Sequence, residues 1–339
     1  MNAQSSPVDS RLAALERWLQ SEFRQPGLTL APASEDASFR RYFRVRLSDG
    51  RSFVAMDAPP DREDCEPFVR VAALMRAAGL NVPEILGRDR DQGFLLLSDL
   101  GLTTFLDALD DDNAASLMGD ATDALLRWQL ATRPDALPPY DEALLRRELA
   151  LFPEWYVGRH LGRTLGKGER QALEAVETLL VRSALAQPRV YVHRDFMPRN
   201  LMLCDPNPGV LDFQDAVIGP VTYDVASLTR DAFRSWDEAR VLDWTVRYWE
   251  KAKRAGLPVE RDFGEFWRAF EWMGLQRHLK VLGIFARLTH RDGKPKYVAD
   301  TPRFVRYARA VAERYVELAP LAKLLDTFQG TERTVGYTF

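Results

Sequence analysis

One stretch decides how this chain folds and what it can do: VYVHRDFMPRNLMLCDPNPGVLDFQD, which runs from Val190 to Asp215. It sets a histidine, several aspartates and two arginines directly against short apolar runs of the kind that form strands. Charges beside buried strands are costly unless they are paired, so folding alone does not explain their density here. The stretch therefore predicts a chemical site.

The spacing of the polar residues in this stretch favours phosphoryl transfer. Asn200 follows Asp195 by five positions, and Asp212 follows Asn200 by twelve, at the tip of a second strand-like run. A tight hairpin would bring Asn200 and Asp212 together, and their oxygens are ligands that suit Mg²⁺. Asp195 would then orient a substrate hydroxyl and accept its proton. The alternative is a solvated loop, because Asp and Asn are common in turns.

Composition narrows the class of protein. The 339 residues are enough for two lobes, and a net charge of −3 gives no field that favours nucleic acid or an acidic membrane. Cys65 and Cys204 lack metal-ligand spacing and indicate a reducing compartment. The N-terminus has no signal-peptide core, and no run approaches the ~18 apolar residues of a membrane span. We expect a cytoplasmic protein without a nucleic-acid, membrane or obligatory protein partner.

Hydrophobic periodicity predicts a β-rich first part and a helical remainder. In the first part the pattern predicts a helix over 9–24, hairpin strands within 28–57, a helix over 63–78 and strands over 82–86 and 94–97. Beyond Gly101 it predicts helices over 111–132, 141–161, 168–187 and from 221 to about 325, interrupted by short strands over 201–204 and 210–213. This organisation predicts an α+β protein with an N-lobe over 1–97, a hinge over 98–101 and a C-lobe over 102–339.

The charged stretch also resembles a known family. His193–Asn200, HRDFMPRN, resembles the catalytic loop of protein kinases and of aminoglycoside phosphotransferase-like kinases, and Leu211–Asp215, LDFQD, resembles their metal-binding motif. The resemblance implies a bilobal protein-kinase-like fold, ATP and Mg²⁺ as cofactors, Asp195 as the catalytic base, and Asn200 and Asp212 as metal ligands.

Two further residues acquire structural roles from the same resemblance. The run Gly-Pro-x-x-Tyr-Asp, which ends at Asp224, looks like a segment whose aspartate holds the catalytic loop by hydrogen bonds. His193 is interpreted as a buried scaffold residue rather than as a ligand or base. Neither residue is therefore expected to take part in the chemistry.

Phe94–Gly101, FLLLSDLG, looks like the connector between the lobes of this family. An apolar strand that ends in a polar turn leaves backbone groups to pair with adenine. The C=O of Ser98 and the N–H of Leu100 are the candidates. An ordinary buried strand followed by a turn would read the same way.

The chain departs from the kinase pattern where nucleotide phosphates normally bind. The loop over 34–39 has no glycine, and small residues such as Ser38 would have to substitute for it. Asp57 stands where kinases carry the lysine of Val-Ala-Ile-Lys. Since no lysine precedes Lys167, none elsewhere in the first part can replace it.

Arginine is then the available cation for the phosphates. We expect Arg40 or Arg44 to contact them, with Glu66 on the following helix as a possible orienting partner. The alternative is a basic strand face exposed to solvent. The missing lysine also leaves open a non-catalytic, kinase-like scaffold.

The acceptor is predicted to be a small molecule. Met197 stands where ordinary Ser/Thr protein kinases carry a lysine, and no Ala-Pro-Glu segment follows Asp212. The predicted substrate-binding residues lie in the catalytic loop and on a long helix over 266–288: Arg199, Gln276, Arg277 and His278. The helix residues could equally be exposed. Cations here favour a neutral or anionic acceptor over a polycationic aminoglycoside.

Several stretches taken together give a closer resemblance within the family. These are ASFRRYFRV, VAMDAPPDRED, HRDFMPRN, LDFQDAVIGPVTYDVASLTRD and QRHLKVLGIFARL. They look like the bacterial anomeric kinases of amino sugars. That group implies ATP-dependent phosphorylation of the C1 hydroxyl of N-acetylmuramate and N-acetylglucosamine in cell-wall recycling. Another small-molecule kinase, of aminoglycoside or choline type, remains the alternative enzyme.

Overall fold

A computed structural model describes residues 9–24, 27–34 and 39–329 of the chain. These residues form two compact units. The first comprises the described residues up to Ala108 together with Asn200–Asp215, and the second comprises Leu109–Arg199 and the described residues from Ala216 onwards. The first unit contains an antiparallel sheet and the second is mainly helical, so the α+β prediction is confirmed. The lobe and hinge boundaries stay a prediction.

The first unit is built on a five-stranded antiparallel sheet in the order β1-β2-β3-β5-β4. The strands are β1 (Thr29–Ser34), β2 (Arg41–Arg46), β3 (Ser52–Asp57), β4 (Ile85–Asp89) and β5 (Phe94–Ser98). The predicted β2–β3 hairpin is confirmed, with Arg46 opposite Ser52. β4 begins three residues later than predicted, because Pro83 has no N–H to give to a sheet ladder.

Helix α1 (Ser10–Phe23) covers one face of this sheet. Asp9 caps the helix by accepting hydrogen bonds from the backbone N–H groups of Arg11 and Leu12. Leu15 and Leu19, one turn apart and fully buried, pack in a cluster with sheet residues of β2, β3 and β5. The predicted amphipathic helix is thus confirmed, and its apolar stripe is what joins it to the sheet.

A short hairpin and two further helices complete the first unit. They are α2 (Glu66–Ala77), α3 (Phe105–Ala108) and the strand pair β7 (Leu201–Met202) and β8 (Gly209–Val210). Both strands are shorter than predicted. Gly209 is required here, because a Cβ atom on it would lie 2.8 Å from Cys204 Sγ and 2.9 Å from Leu100 Cδ1.

The second unit is mainly helical. Its helices are α4 (Ala114–Leu130), α5 (Glu142–Leu149), α6 (Lys167–Ala186), α7 (Tyr223–Thr229), α8 (Glu238–Arg254), α9 (Phe263–His290), α10 (Thr301–Arg314) and α11 (Ala319–Gln329). The predicted helix over 141–161 divides into α5 and a π-helix over Phe152–His160, near Pro153, which cannot donate within a helix. Across the described ranges, no helix is both long enough and apolar enough to cross a membrane.

A two-stranded sheet within the second unit supports the charged stretch. β6 (Arg189–Val192) pairs antiparallel with β9 (Val217–Pro220), and Val192 lies opposite Val217. The sequence pattern did not predict β9, since it has four residues and ends in Gly-Pro, which is typical of turns. This pair fixes the backbone that leads into His193.

Candidate active site

The catalytic-loop stretch leaves β6 with an unusual backbone conformation. Arg194 has φ = +79°, in the left-handed region that non-glycine residues rarely adopt. His193 and Phe196 on either side are fully buried, and their rings meet edge to face at 5.6 Å. Asp195 is partly buried between them. The predicted burial of His193 is therefore confirmed.

Asp224, at the start of α7, holds this loop by its backbone. Its carboxylate accepts hydrogen bonds from the N–H groups of His193 at 2.6 Å and of Arg194 at 3.0 Å. His193 Nδ1 in turn accepts the N–H of Asp195 at 3.2 Å. Burial of Asp224 raises the pKa of its carboxyl group to about 7. The predicted structural role of Asp224 is confirmed by these bonds.

A buried ionic network centred on Glu148 supports the loop through Arg194. Glu148 accepts a hydrogen bond from the Arg194 guanidinium at 2.6 Å, lies 3.1 Å from Lys280 Nζ, and accepts a hydrogen bond from the Tyr140 hydroxyl. Burial opposes ionisation of Glu148, but the charges of Lys280 and Arg194 lower its pKa to about 2. Sequence reasoning missed this network, because Glu148 lies in an amphipathic helix among other charged residues.

The predicted substrate-binding residues occupy different environments in the second unit. Gln276 is fully buried and donates to Glu148 at 3.4 Å. His278 is fully buried between the rings of α10, and burial holds its pKa well below the usual value. Arg277 is 2% exposed, so the alternative of an exposed helix face is wrong. Arg199 is exposed and lies over the ring of Phe233.

The two predicted metal ligands meet within the first unit. Asn200 Nδ2 lies 3.3 Å from Asp212 Oδ2, and the N–H of Leu211 donates to the backbone carbonyl of Asn200 at 2.9 Å. Asp212 has φ = +62°, and Gln214 donates to its other carboxylate oxygen at 2.8 Å. The short β7–β8 hairpin thus brings the pair together as predicted.

These side chains fit a hard divalent cation. Amide and carboxylate oxygens are the groups that Mg²⁺ takes from proteins, together with waters and phosphate oxygens. In the part of the chain that the structure describes, no group of three or more His, Cys, Asp and Glu side chains is placed to hold a metal. The magnesium site at Asn200 and Asp212 stays a prediction.

The predicted connector is held by Asp99. Its carboxylate accepts two bonds from Arg44, at 2.8 and 3.1 Å, one from Ser52 at 2.5 Å and one from the N–H of Gly101 at 3.0 Å. Although burial opposes ionisation, these donors lower the pKa of Asp99. Ser98 pairs with Glu84 through its N–H and hydroxyl groups, and the Leu100 side chain packs near Gly209.

The structure describes Arg40 and Arg44, two of the residues predicted to contact nucleotide phosphates. Arg40 lies 3.7 Å from Glu63, which also accepts the N–H of Phe39 at 3.2 Å. Glu66 pairs instead with Arg88 at 2.5 Å, so its prediction as the orienting partner is wrong. α2 begins at Glu66, three residues later than predicted, and this leaves Glu63 near the base of the loop. Ser38 lies outside the described residues.

Asp57 has a structural role on the face that α1 covers. Its fully buried carboxylate accepts two bonds from Arg11, at 2.9 and 2.5 Å, and two from Arg41, at 3.0 and 2.5 Å. Side chains alternate along a strand, so Val54 and Met56 of β3 point to the opposite face. Arg11 and Arg41 are therefore ion-pair partners of Asp57.

Comparison with known proteins identifies the class. The chain belongs to the Phosphotransferase enzyme family, whose profile matches residues 29–263. A curated N-acetylmuramate/N-acetylglucosamine kinase from Pseudomonas aeruginosa is 56% identical over 336 residues, which cover 96% of this chain and 99% of the relative. The enzyme of the same name from Pseudomonas putida is 53% identical over 335 residues, or 96% and 98% of the two chains.

Solved structures agree at the level of the fold. An ethanolamine kinase from Plasmodium vivax superposes with a TM-score of 0.65 at 10% identity and covers 98% of this chain and 92% of its own. An aminoglycoside phosphotransferase superposes with a TM-score of 0.57 at 13% identity, and the match covers 87% of this chain and 97% of that structure's chain. The predicted kinase-like α+β fold is confirmed.

The Glu148 network predicts a defined pH dependence. Glu148→Gln should lower the free energy of unfolding at pH 7 by about 3 kcal/mol, because two buried cations lose their counter-charge. The folded pKa of Glu148 lies below the ordinary 4.5, so its stabilisation is present above pH 4.5 and is lost as the pH falls towards 2. The wild-type–variant difference, measured by urea denaturation, should shrink over that range.

Glu142→Gln is the matched control on the same helix. Glu142 forms an exposed pair with Arg146, so the substitution should change the free energy of unfolding by less than ~0.5 kcal/mol. A Glu148→Gln difference that stayed constant from pH 7 to pH 2 would contradict the network's assigned charge state.

Proposed function

We propose that this protein is an ATP-dependent sugar kinase that phosphorylates the C1 hydroxyl of N-acetylmuramate and N-acetylglucosamine. The observation that carries the proposal is the sequence identity of 56% and 53% to two curated kinases that are named for these two sugars. The identity extends over nearly the whole of each pair of chains. Membership of a phosphotransferase family supports the reaction class. The product would enter cell-wall sugar recycling in the cytoplasm.

Asp195 is proposed as the base that takes the proton from the acceptor hydroxyl. Its backbone is held by His193 and, through the neighbouring residue, by Asp224, so the carboxylate starts from a defined position. An anomeric hydroxyl is more acidic than an ordinary alcohol, which reduces the driving force a carboxylate must supply. The sugar oxygen then forms a bond to the γ-phosphorus as the bond to the ADP oxygen breaks.

Asn200 and Asp212 are proposed to hold Mg²⁺. When bound, this ion would neutralise charge on the nucleotide phosphates, which is the main electrostatic need of phosphoryl transfer. Gln214 donates to the Asp212 carboxylate, and the N–H of Leu211 donates to the backbone carbonyl of Asn200, which holds these two residues in place. No covalent phosphoenzyme is required.

The nucleotide is proposed to bind to residues of the first unit. The backbone C=O of Ser98 and the N–H of Leu100 would pair with adenine in the connector over 98–101. Asp99 and Arg44 would fix that connector through the bonds already described. Arg40, beside Glu63, is then the better candidate for the phosphate-binding cation, since the Arg44 guanidinium donates to Asp99 and to the Gly101 carbonyl.

Direct assay of acceptors tests the function. The purified chain with ATP and Mg²⁺ should release ADP in the presence of N-acetylmuramate or N-acetylglucosamine, and the product should carry phosphate on C1 by NMR. Kanamycin and choline serve as the comparison acceptors. Transfer to either of them but to neither sugar would replace the proposal with the corresponding kinase type, and nucleotide binding without any transfer would indicate a scaffold.

Asp195→Asn tests the base in the same assay. Removing the carboxylate should lower kcat by at least ~10²-fold with both sugars, as expected for loss of a general base. Asp205→Asn, an exposed position in the β7–β8 turn, is the control and should retain activity. Near-normal turnover by a folded Asp195→Asn protein would remove Asp195 from the mechanism.

Arg40 and Arg44 can be separated by comparing ligands with and without phosphates. Arg40→Met should weaken ATP binding by about tenfold or more, the size of a charged hydrogen bond, while adenosine binding changes little. Arg44→Met should weaken both ligands, because it loosens the connector. Titration calorimetry measures the affinities for both ligands. Arg46→Met, at an exposed position of β2, is the control. Equal losses for ATP and adenosine in Arg40→Met would rule out its phosphate contact.

A further inference from the structure

One buried cation of the second unit has no anionic partner among the described residues. Arg277, on α9, is 2% exposed and forms no ion pair within that part of the chain. Its Nη2 lies 3.9 Å from the Met197 sulfur, and its buried Nη1 has no hydrogen-bond partner in the ranges that the structure describes. A thioether is a weak acceptor, so the guanidinium is poorly satisfied.

Neighbouring buried cations are satisfied in a different way. Lys280, on the same helix, lies 3.1 Å from Glu148 and donates to the Tyr223 hydroxyl at 3.0 Å. Arg230 pairs with the fully buried Glu271 at 3.0 Å. The fold therefore supplies carboxylates to the other cations in this region, and Arg277 differs from them.

The two nearby acids, Asp224 and Asp231, do not accept hydrogen bonds from the Arg277 guanidinium. Asp224 and Asp231 are close enough for its charge to favour their ionised forms. The Asp224 oxygens accept the backbone N–H groups of the catalytic loop, and Asp231 Oδ2 accepts those of Phe233 and Arg234. Asp231 Oδ1 is buried and has no hydrogen-bond partner among the described residues, the guanidinium included.

An incompletely paired buried guanidinium is costly, since desolvation of a charge is offset only by good hydrogen bonds to an opposite charge. Such a group is well suited to an anionic ligand, because Arg binds a carboxylate through two parallel N–H bonds. Met197, which contacts Arg277, lies two positions after Asp195 in the loop. The anion would therefore belong to the acceptor that Asp195 serves.

The two proposed acceptors differ in one relevant group. N-acetylmuramate is N-acetylglucosamine with a lactyl ether on O3, and that ether carries a carboxylate. We infer that Arg277 binds this carboxylate, with the flexible Met197 side chain moving off the guanidinium to admit it. The inference rests on the proposed function and makes Arg277 the residue that determines preference between the two sugars.

Paired specificity measurements test the inference. In Arg277→Met, kcat/KM for N-acetylmuramate should fall at least about tenfold further than kcat/KM for N-acetylglucosamine, as expected for loss of a charged hydrogen bond. Arg277→Lys keeps the charge but loses the two parallel N–H bonds. Its ratio of kcat/KM for N-acetylmuramate to kcat/KM for N-acetylglucosamine should therefore lie between those of wild type and Arg277→Met. Turnover of N-acetylglucosamine and the melting temperature show that each variant is folded.

Arg287→Met is the matched control, because Arg287 lies on the same helix and also has a buried nitrogen with no hydrogen-bond partner in the described part of the chain. Its ratio of specificity constants should equal that of the wild type. Equal losses for both sugars in Arg277→Met, or no loss for either, would overturn the carboxylate contact. Wild-type protein that phosphorylates neither sugar would instead overturn the proposed function, and this inference with it.

Discussion

The loop over His193–Asn200 depends on the buried carboxylate of Asp224 and on the hydrogen bonds that this carboxylate accepts from two backbone N–H groups. Arg194 occupies the left-handed region, which costs an ordinary residue roughly 1–2 kcal/mol. Bonds of 2.6 and 3.0 Å to Asp224, and the ion pair of Arg194 with Glu148, hold that conformation. Asp195 follows directly, so the strained backbone determines where its carboxylate emerges.

Local features of this structure could be predicted from the sequence. The α1 stripe, the β2–β3 hairpin and the pairing of Asn200 with Asp212 all depend on residues close together in the chain. Their geometry follows from helical or alternating periodicity and from a short hairpin. The resemblance of the run that ends at Asp224 to the phosphotransferase family likewise indicated that Asp224 holds the loop. Such features need little knowledge of the rest of the fold.

Contacts between distant residues could not be predicted. Glu148 and Gln276 are 128 positions apart, and Arg11 and Asp57 are 46 apart. In a chain rich in charge, a single sequence does not indicate which acid meets which base. β9 was missed for another reason, since its four residues carry a turn-like Gly-Pro end. The polar residues of α9 gave no sign of burial, because their partners lie on other elements that are distant in the sequence.

The scarcity of lysine has a structural counterpart. None of the seven lysines precedes Lys167, and the pairs that fix the sheet and connector of the first unit are arginine–carboxylate contacts at Asp57 and Asp99. A guanidinium fork fixes the direction of its partner, whereas an ammonium acts as a point charge. Arginine thus serves here as a framework residue. Where a buried arginine such as Arg277 meets no carboxylate among the described residues, a ligand is the chemically consistent source of that group.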